Sequence, residues 1–92
     1  MRLDLYLKLT GVAKTRSLAA RLVTGGYLQA VNSPGVTAGR LKPSHEVQVG
    51  ERYLVERAAG ADHLEVLAIP EGKSLAKKDR ALYLRVERPE LP

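Results

Sequence analysis

Leucine occupies every second position of the opening segment, and this spacing fits two kinds of structure. Strict alternation is typical of a strand, whereas Leu3, Tyr6 and Leu7 also recur at helical spacing. The segment holds no β-branched residue before Thr10, and Gly11 follows as a plausible helix stop. We therefore favour a first helix over a strand.

A second helix is predicted to begin at Thr15, a good N-cap, and to end at Gly25 and Gly26. At about 100° per residue, its apolar side chains fall on one face and its polar or small ones on the other. The face predicted to join the core carries Leu18, Ala19, Leu22 and Val23. The face predicted to be free for binding carries Ser17, Ala20, Arg21 and Thr24.

Beyond Gly26 the pattern changes to short apolar runs separated by turn residues, which predicts an antiparallel sheet. The predicted strands are residues 27–31, 47–49, 52–55 and 64–69. We interpret residues 58–62 as a flexible link. The chain then has the pattern of an α+β domain.

Residues 73–87 are predicted to form a C-terminal helix, because Leu75, Leu82 and Val86 lie on a common stripe before Pro89. We divide the chain into a domain of residues 1–69 and a C-terminal helical extension of residues 70–92. Lys73 and Lys77 are interpreted as solvated surface residues of this extension.

The 92 residues, 45% of them hydrophobic, are enough for one compact domain. Cysteine is absent and histidine occurs only at His45 and His63, which we expect to be isolated from acidic or cysteine partners, so we expect neither a metal site nor a cofactor. No apolar run resembles a signal peptide or approaches the roughly 20 residues of a membrane span. We expect a cytoplasmic protein with no membrane partner.

Charge is distributed unevenly along the chain. Residues 1–44 carry seven basic residues against the single acid Asp4, a net charge of +6, whereas the remaining 48 residues have a net charge of −1. A basic field confined to one part of a small domain is typical of a polyanion binder, because neutralising phosphates releases condensed counterions.

Several short motifs occur in a characteristic order over roughly residues 1–55. They are Met1-Arg2-Leu3-Asp4 with Leu7, Lys14-Thr15-Arg16-Ser17 with Ala19, Gly26, Val31-Asn32, and Lys42-Pro43-Ser44 with Val47 and Gly50. Together they resemble the S4-type (alpha-L) RNA-binding domain family. The resemblance implies an α+β fold in which two N-terminal helices pack on a small antiparallel sheet, with RNA bound along the second helix and the start of the first.

The resemblance also implies which side chains face RNA. These are Arg2, Lys8, Lys14, Thr15, Arg16, Ser17, Arg21, Lys42 and Ser44. Core positions would be Leu3, Leu7, Leu18, Ala19 and Leu22. The chain departs from the family pattern at Ser33, where glycine is usual, and in an interval from Asn32 to Lys42 that is about five residues longer. Whether Arg40 in that interval reaches RNA stays open.

No residue pattern favours catalysis. Arg2-Leu3-Asp4 is similar to a piece of pseudouridine synthases, but the rest of that enzyme is missing, so we expect Asp4 to favour the first helix or to pair with an arginine. The serines have no identifiable base nearby. The four tyrosines could stack on bases, yet each lies in an apolar segment and is better interpreted as packed in or near the core. They are Tyr6, Tyr27, Tyr53 and Tyr83.

Among short members of the family, the closing segment is more similar to RqcP-type quality-control factors than to fifteen-kilodalton heat-shock proteins, which have a longer basic tail. This implies a monomeric, non-catalytic factor that binds large-subunit rRNA and tRNA and supports tail addition by a partner, RqcH. The alternatives are an accessory module of an RNA-modifying enzyme or tRNA synthetase, and a general heat-shock ribosome-binding protein.

Overall fold

A computed structural model describes residues 1–31, 41–58 and 60–87. The extended interval from Asn32, including Arg40, and the terminating Pro89 lie outside the described residues. The elements are helices α1 (Leu3–Leu9), α2 (Arg16–Thr24) and α3 (Arg80–Tyr83), a 3₁₀ turn (Lys77–Asp79), and strands β1 (Leu28–Ala30), β2 (Arg52–Arg57), β3 (Gly60–Val66) and β4 (Leu84–Glu87). The strands form an antiparallel sheet in the order β1-β2-β3-β4.

The two N-terminal helices form where the sequence predicts them. The Thr15 hydroxyl accepts a hydrogen bond from the Leu18 amide at 3.1 Å, which caps α2, and Gly25 ends it. The connection between the helices turns at Gly11, whose φ of +84° lies in the left-handed region that favours glycine. The ambiguity of the leucine pattern is thereby resolved in favour of helix for α1.

The core lies between the helices and one face of the sheet. Leu3, Tyr6 and Leu7 of α1 pack there against strand residues such as Tyr53 and Val55, and all five are almost completely buried. The Tyr6 hydroxyl donates to the Tyr83 carbonyl at 2.6 Å, so α1 is also tied to the C-terminal part of the chain. The expected arrangement of two helices on an antiparallel sheet is confirmed.

The predicted C-terminal helix is largely wrong. Only residues 77–83 turn helically, and residues 84–87 form β4, which pairs with β3 in the register Leu84 opposite Val66 and Val86 opposite Leu64. Apolar and charged residues alternate there with a period of two, and the edge of β3 supplies hydrogen-bond partners that a single-turn helix lacks.

Two details of the predicted sheet are also wrong. The presumed link includes residues 60–62, which belong to β3, so β2 and β3 form a close hairpin. Residues 47–49 form no strand. Val47 is instead buried in a loop, and its amide donates a hydrogen bond to the Met1 carbonyl at 2.9 Å. This loop, which lies over the start of α1, positions the candidate site.

Candidate RNA-binding face

Asp4 lies between two arginines from different elements. Its Oδ2 is 3.2 Å from Arg2 Nη2 and 3.3 Å from Arg16 Nε, and its own side chain is only 7% exposed. Its Oδ1 accepts the Leu5 amide at 2.8 Å. The expectation that Asp4 pairs with an arginine is confirmed, and one buried carboxylate thereby holds two guanidinium groups side by side.

Backbone carbonyls of the loop that contains Pro43 and His45 cap the first turn of α1. The Leu3 amide donates to the His45 carbonyl at 2.8 Å and the Asp4 amide to the Pro43 carbonyl at 3.1 Å, while the N-cap Arg2 makes no side-chain cap. Lys42 and Ser44 flank Pro43 and are exposed. They therefore lie beside the cluster of Arg2, Asp4 and Arg16.

A buried carboxylate holds this loop in place. Glu51 accepts the Gln48 amide at 2.6 Å and the Tyr53 hydroxyl at 3.0 Å, and its other oxygen lies 2.7 Å from His45 Nε2. Burial, together with the nearby charge of Glu51, raises the pKa of Tyr53 above its ordinary range.

The prediction that His45 has no acidic partner is therefore wrong, because a turn brings Glu51 to it across six residues. Among the described residues, no three histidine or acidic side chains are grouped as a metal site would require. The contact with Glu51 helps to hold His45 in the loop whose carbonyls cap α1.

All nine residues predicted to face RNA are exposed, but they do not all share one face. Arg16 points to the α1 side, where Asp4 holds it. Ser17 and Arg21 lie roughly 100° and 140° further around α2. Lys8 is one turn beyond Asp4 on α1, and Thr15 uses its hydroxyl to cap α2.

Two residues that the sequence assigned to packing are on the surface. Leu18 is 43% exposed and Tyr27 is 55% exposed, so both expectations of burial are wrong. Tyr27 lies against Gly25, where an added Cβ would come within 2.9 Å of its ring. Leu18 faces away from the α2 stripe of Ala19 and Val23, which contacts the core.

Arg80 was not among the residues predicted to bind RNA. Its guanidinium lies against Gly11, the turn between α1 and α2, although the two residues are far apart in sequence. The helix predicted over residues 73–87 gave no indication that Arg80 contacts the turn between α1 and α2. The one sequence signal was Gly11 itself, where a missing side chain permits close approach.

Basic residues differ in how they are compensated. Along the described chain, Lys8, Lys14, Arg21 and Lys42 form no ion pair with a described residue. The arginines of the sheet each have a carboxylate instead. These pairs are Arg52 with Glu65 at 4.0 Å, Arg57 with Asp62 at 3.4 Å and Arg85 with Glu87 at 3.1 Å. Among the described residues, basic side chains without an ion pair thus lie outside the strands.

No family model matches the chain. A protein of Helicobacter pylori strain J99, the RQC P-site tRNA stabilizing factor, is 34% identical over 84 residues, which cover 91% of this chain and 93% of that protein. The chain belongs to the RQC P-site tRNA stabilizing factor family. The factor of the same name from H. pylori strain 26695 is 33% identical over the same coverage. The resemblance to RqcP-type factors is therefore confirmed.

Solved structures agree with this family assignment at the level of fold. A trimeric structure of heat shock protein 15 from Vibrio cholerae superposes with a TM-score of 0.77 at 24% identity, covering 95% of this chain and 81% of that one. The solution structure of the hypothetical protein HP1423 superposes with a TM-score of 0.72 at 28% identity, covering 98% of this chain and 100% of that one. The S4-type fold is confirmed.

Within the described residues, no helix has the length and apolar character needed to cross a membrane.

Proposed function

We propose that this member of the RQC P-site tRNA stabilizing factor family binds structured RNA on the large ribosomal subunit and holds tRNA in the P-site during ribosome-associated quality control. It acts by binding, as a monomer, and the tail-adding chemistry belongs to the partner RqcH. The observation that carries the proposal is the pair Arg2 and Arg16, fixed by one buried carboxylate at the junction of α1, α2 and the loop after β1.

The geometry suits phosphate more than base edges. Each guanidinium has further N–H donors beyond the one that approaches Asp4, and a planar donor set matches phosphate oxygens. A single carboxylate offsets only one of the two positive charges, so the cluster remains cationic. In A-form RNA the phosphates and 2′-hydroxyls are accessible while the base edges of the deep groove are not, so recognition by shape is favoured.

The surrounding residues extend this contact in the proposal. Lys42 and Ser44 approach from the loop, Lys14 precedes α2, and Arg21 and Ser17 supply a neighbouring face for the same RNA. Lys8 continues the basic surface along α1. Thr15 contributes indirectly by fixing the first turn of α2.

The test compares two matched arginines. Arg16 and Arg85 are half-exposed, at 48% and 60%, and each lies within 3.3 Å of one carboxylate. We expect Arg16→Gln to lower affinity for purified large subunits carrying peptidyl-tRNA by about 10-fold or more, as the loss of a charge-assisted hydrogen bond would. Arg85→Gln should bind like the parent protein.

Quantitative co-sedimentation with those subunits measures the affinity, and protection of the P-site tRNA from nuclease reports the location. Equal losses in both variants, or sedimentation with small subunits alone, would refute the proposed site or target. Circular dichroism of each variant checks that the fold is intact.

A further inference from the structure

The C-terminal turn packs directly against the connection between α1 and α2. A Cβ added at Gly11 would come within 2.6 Å of Arg80 Nη1 and 2.9 Å of its Cζ, so the guanidinium rests on bare backbone. Any side chain at Gly11 would displace it, and the φ of +84° disfavours other residues independently. Packing, rather than a carboxylate, therefore places this cation.

Arg80 is a cation with unused hydrogen-bonding capacity. It forms no ion pair with a described residue, and its buried Nε has no hydrogen-bond partner. Leaving such a donor unpaired is unfavourable in a protein interior. This arrangement contrasts with Arg16, whose charge is shared with Asp4.

Other cations lie close in sequence to the two residues of this contact. Lys8 and Lys14 are each three residues from Gly11, and Lys77 and Lys78 occupy the exposed turn just before Arg80. None of these four lysines forms an ion pair with a described residue. A second group of positive charges, all but one of them on exposed residues, thus lies near the C-terminal end of α1.

The two groups of cations lie at opposite ends of one short helix. Seven residues of α1 span roughly 10 Å, at 1.5 Å per residue, and Lys8 of the second group lies on the exposed side of this helix. We infer that Lys77, Lys78 and Arg80 form a second phosphate contact, so that one RNA backbone runs along α1 from Arg2 and Arg16 to the C-terminal turn.

This inference rests on the proposed function and specifies which parts of the chain RNA covers. RNA is favoured over an acidic protein because the second group includes Lys8 on α1 and Lys14 just before α2, the two helices that carry Asp4 and Arg16 of the first group, and so does not form a separate patch. A polymer with regularly spaced phosphates can occupy both groups at once, whereas a local acidic segment needs only one of them.

The salt dependence of tRNA binding tests the inference. Full-length protein is titrated with fluorescently labelled deacylated tRNA at several potassium chloride concentrations. The double variant Lys77→Gln/Lys78→Gln should lower affinity and reduce the slope of log affinity against log salt by roughly 1.4 to 1.8, the value for two lost phosphate contacts. The control Lys73→Gln/Arg85→Gln removes the same formal charge and should keep the parent slope.

The outcomes separate this inference from the proposed function. Parent-like slopes in both double variants, with binding still sensitive to Arg16→Gln, would overturn the second contact alone. Absence of tRNA binding by the parent protein would overturn the proposed function as well. A Lys77→Gln/Lys78→Gln variant that binds tRNA normally but no longer binds a polyglutamate peptide would reject RNA in favour of an acidic protein.

Discussion

The arginine–carboxylate salt bridges at the helices and on the sheet have similar lengths, but they differ in the number of arginines that share each carboxylate. Arg85 lies 3.1 Å from Glu87, whose side chain is 62% exposed, and that pair is neutral. Asp4 is buried and serves both Arg2 and Arg16, which leaves one positive charge in a fixed place. An arginine that forms a salt bridge can therefore still carry positive charge that is available to a ligand. The ratio of cations to carboxylates, and the burial of the shared carboxylate, distinguish the two regions.

The largest expected effect is on salt sensitivity. If about five phosphates are contacted through the helical region, raising salt from about 50 to 200 mM should weaken tRNA binding by roughly 10² to 10³. Arg16→Gln/Arg21→Gln should flatten this dependence, and Arg52→Gln/Arg85→Gln should not. Fluorescence titrations measure both. An equal flattening would mean that the two regions do not differ in RNA contact.

Alkaline pH should weaken the core that both regions share. Burial raises the pKa of Tyr6 and of Tyr53 above the ordinary value of 10. The tyrosines' contribution to stability is therefore present below about pH 10 and lost as pH rises toward their folded-state pKa, about 1.4 kcal/mol per tyrosine at pH 11. Urea unfolding at about pH 8 and pH 11 measures the loss.

Tyr6→Phe provides the control for this pH dependence. It removes one ionisable group, and with it the hydrogen bond to the Tyr83 carbonyl, so its stability should be lower at neutral pH and fall less on going to pH 11. If parent and variant lose the same free energy of unfolding, the alkaline effect arises elsewhere.

Among the sheet arginines, Arg57 should matter for stability and not for RNA. Arg57→Gln removes the 3.4 Å pair with the buried Asp62 and a 3.1 Å hydrogen bond to the Val12 carbonyl, so we expect a loss of about 1–2 kcal/mol. Thermal or urea unfolding measures it. Arg52→Gln, with its 4.0 Å contact, should cost less than about 0.5 kcal/mol. A large fall in tRNA affinity for Arg57→Gln would contradict the prediction that the sheet arginines do not contact RNA.

The smallest expected effect is at Asp4. Asp4→Asn increases net positive charge, yet it should lower tRNA affinity by about threefold, because Arg2 and Arg16 lose the group that orients them. Glu87→Gln makes the same change in charge on the sheet and should leave affinity unchanged. Tighter binding by Asp4→Asn would show that total charge, rather than orientation, governs binding.

Local sequence rules predicted the helical region well. The cap at Thr15, the glycines after α2 and the charge excess before residue 45 are all signals carried by neighbouring residues. The pairing of Asp4 with an arginine was also predictable, because Arg2 is close in sequence and few other acids are available. Leu18 shows the limit of helical periodicity, since a short helix can leave an apolar edge outside the core.

The features that the sequence did not predict depend on contacts between residues that are distant in the sequence. β4 forms because β3 offers a strand edge, and nothing within residues 73–87 reveals that edge. Arg80 reaches Gly11 only once that segment has folded back on α1. The partnership of His45 with Glu51 likewise depends on a turn whose geometry the sequence does not specify. Tertiary contacts outweighed intrinsic helix propensity in this part of the chain.

The capping of α1 by the Pro43 and His45 carbonyls affects the order in which the protein can assemble. A seven-residue helix is marginal in isolation, and the carbonyls that cap it are about forty residues downstream, so stable formation of α1 depends on closing that loop. During synthesis the arginine pair can be completed only after the Pro43–His45 segment has left the ribosomal exit tunnel. We therefore expect N-terminal fragments that lack residues 43–45 not to hold Arg2 and Arg16 in this arrangement.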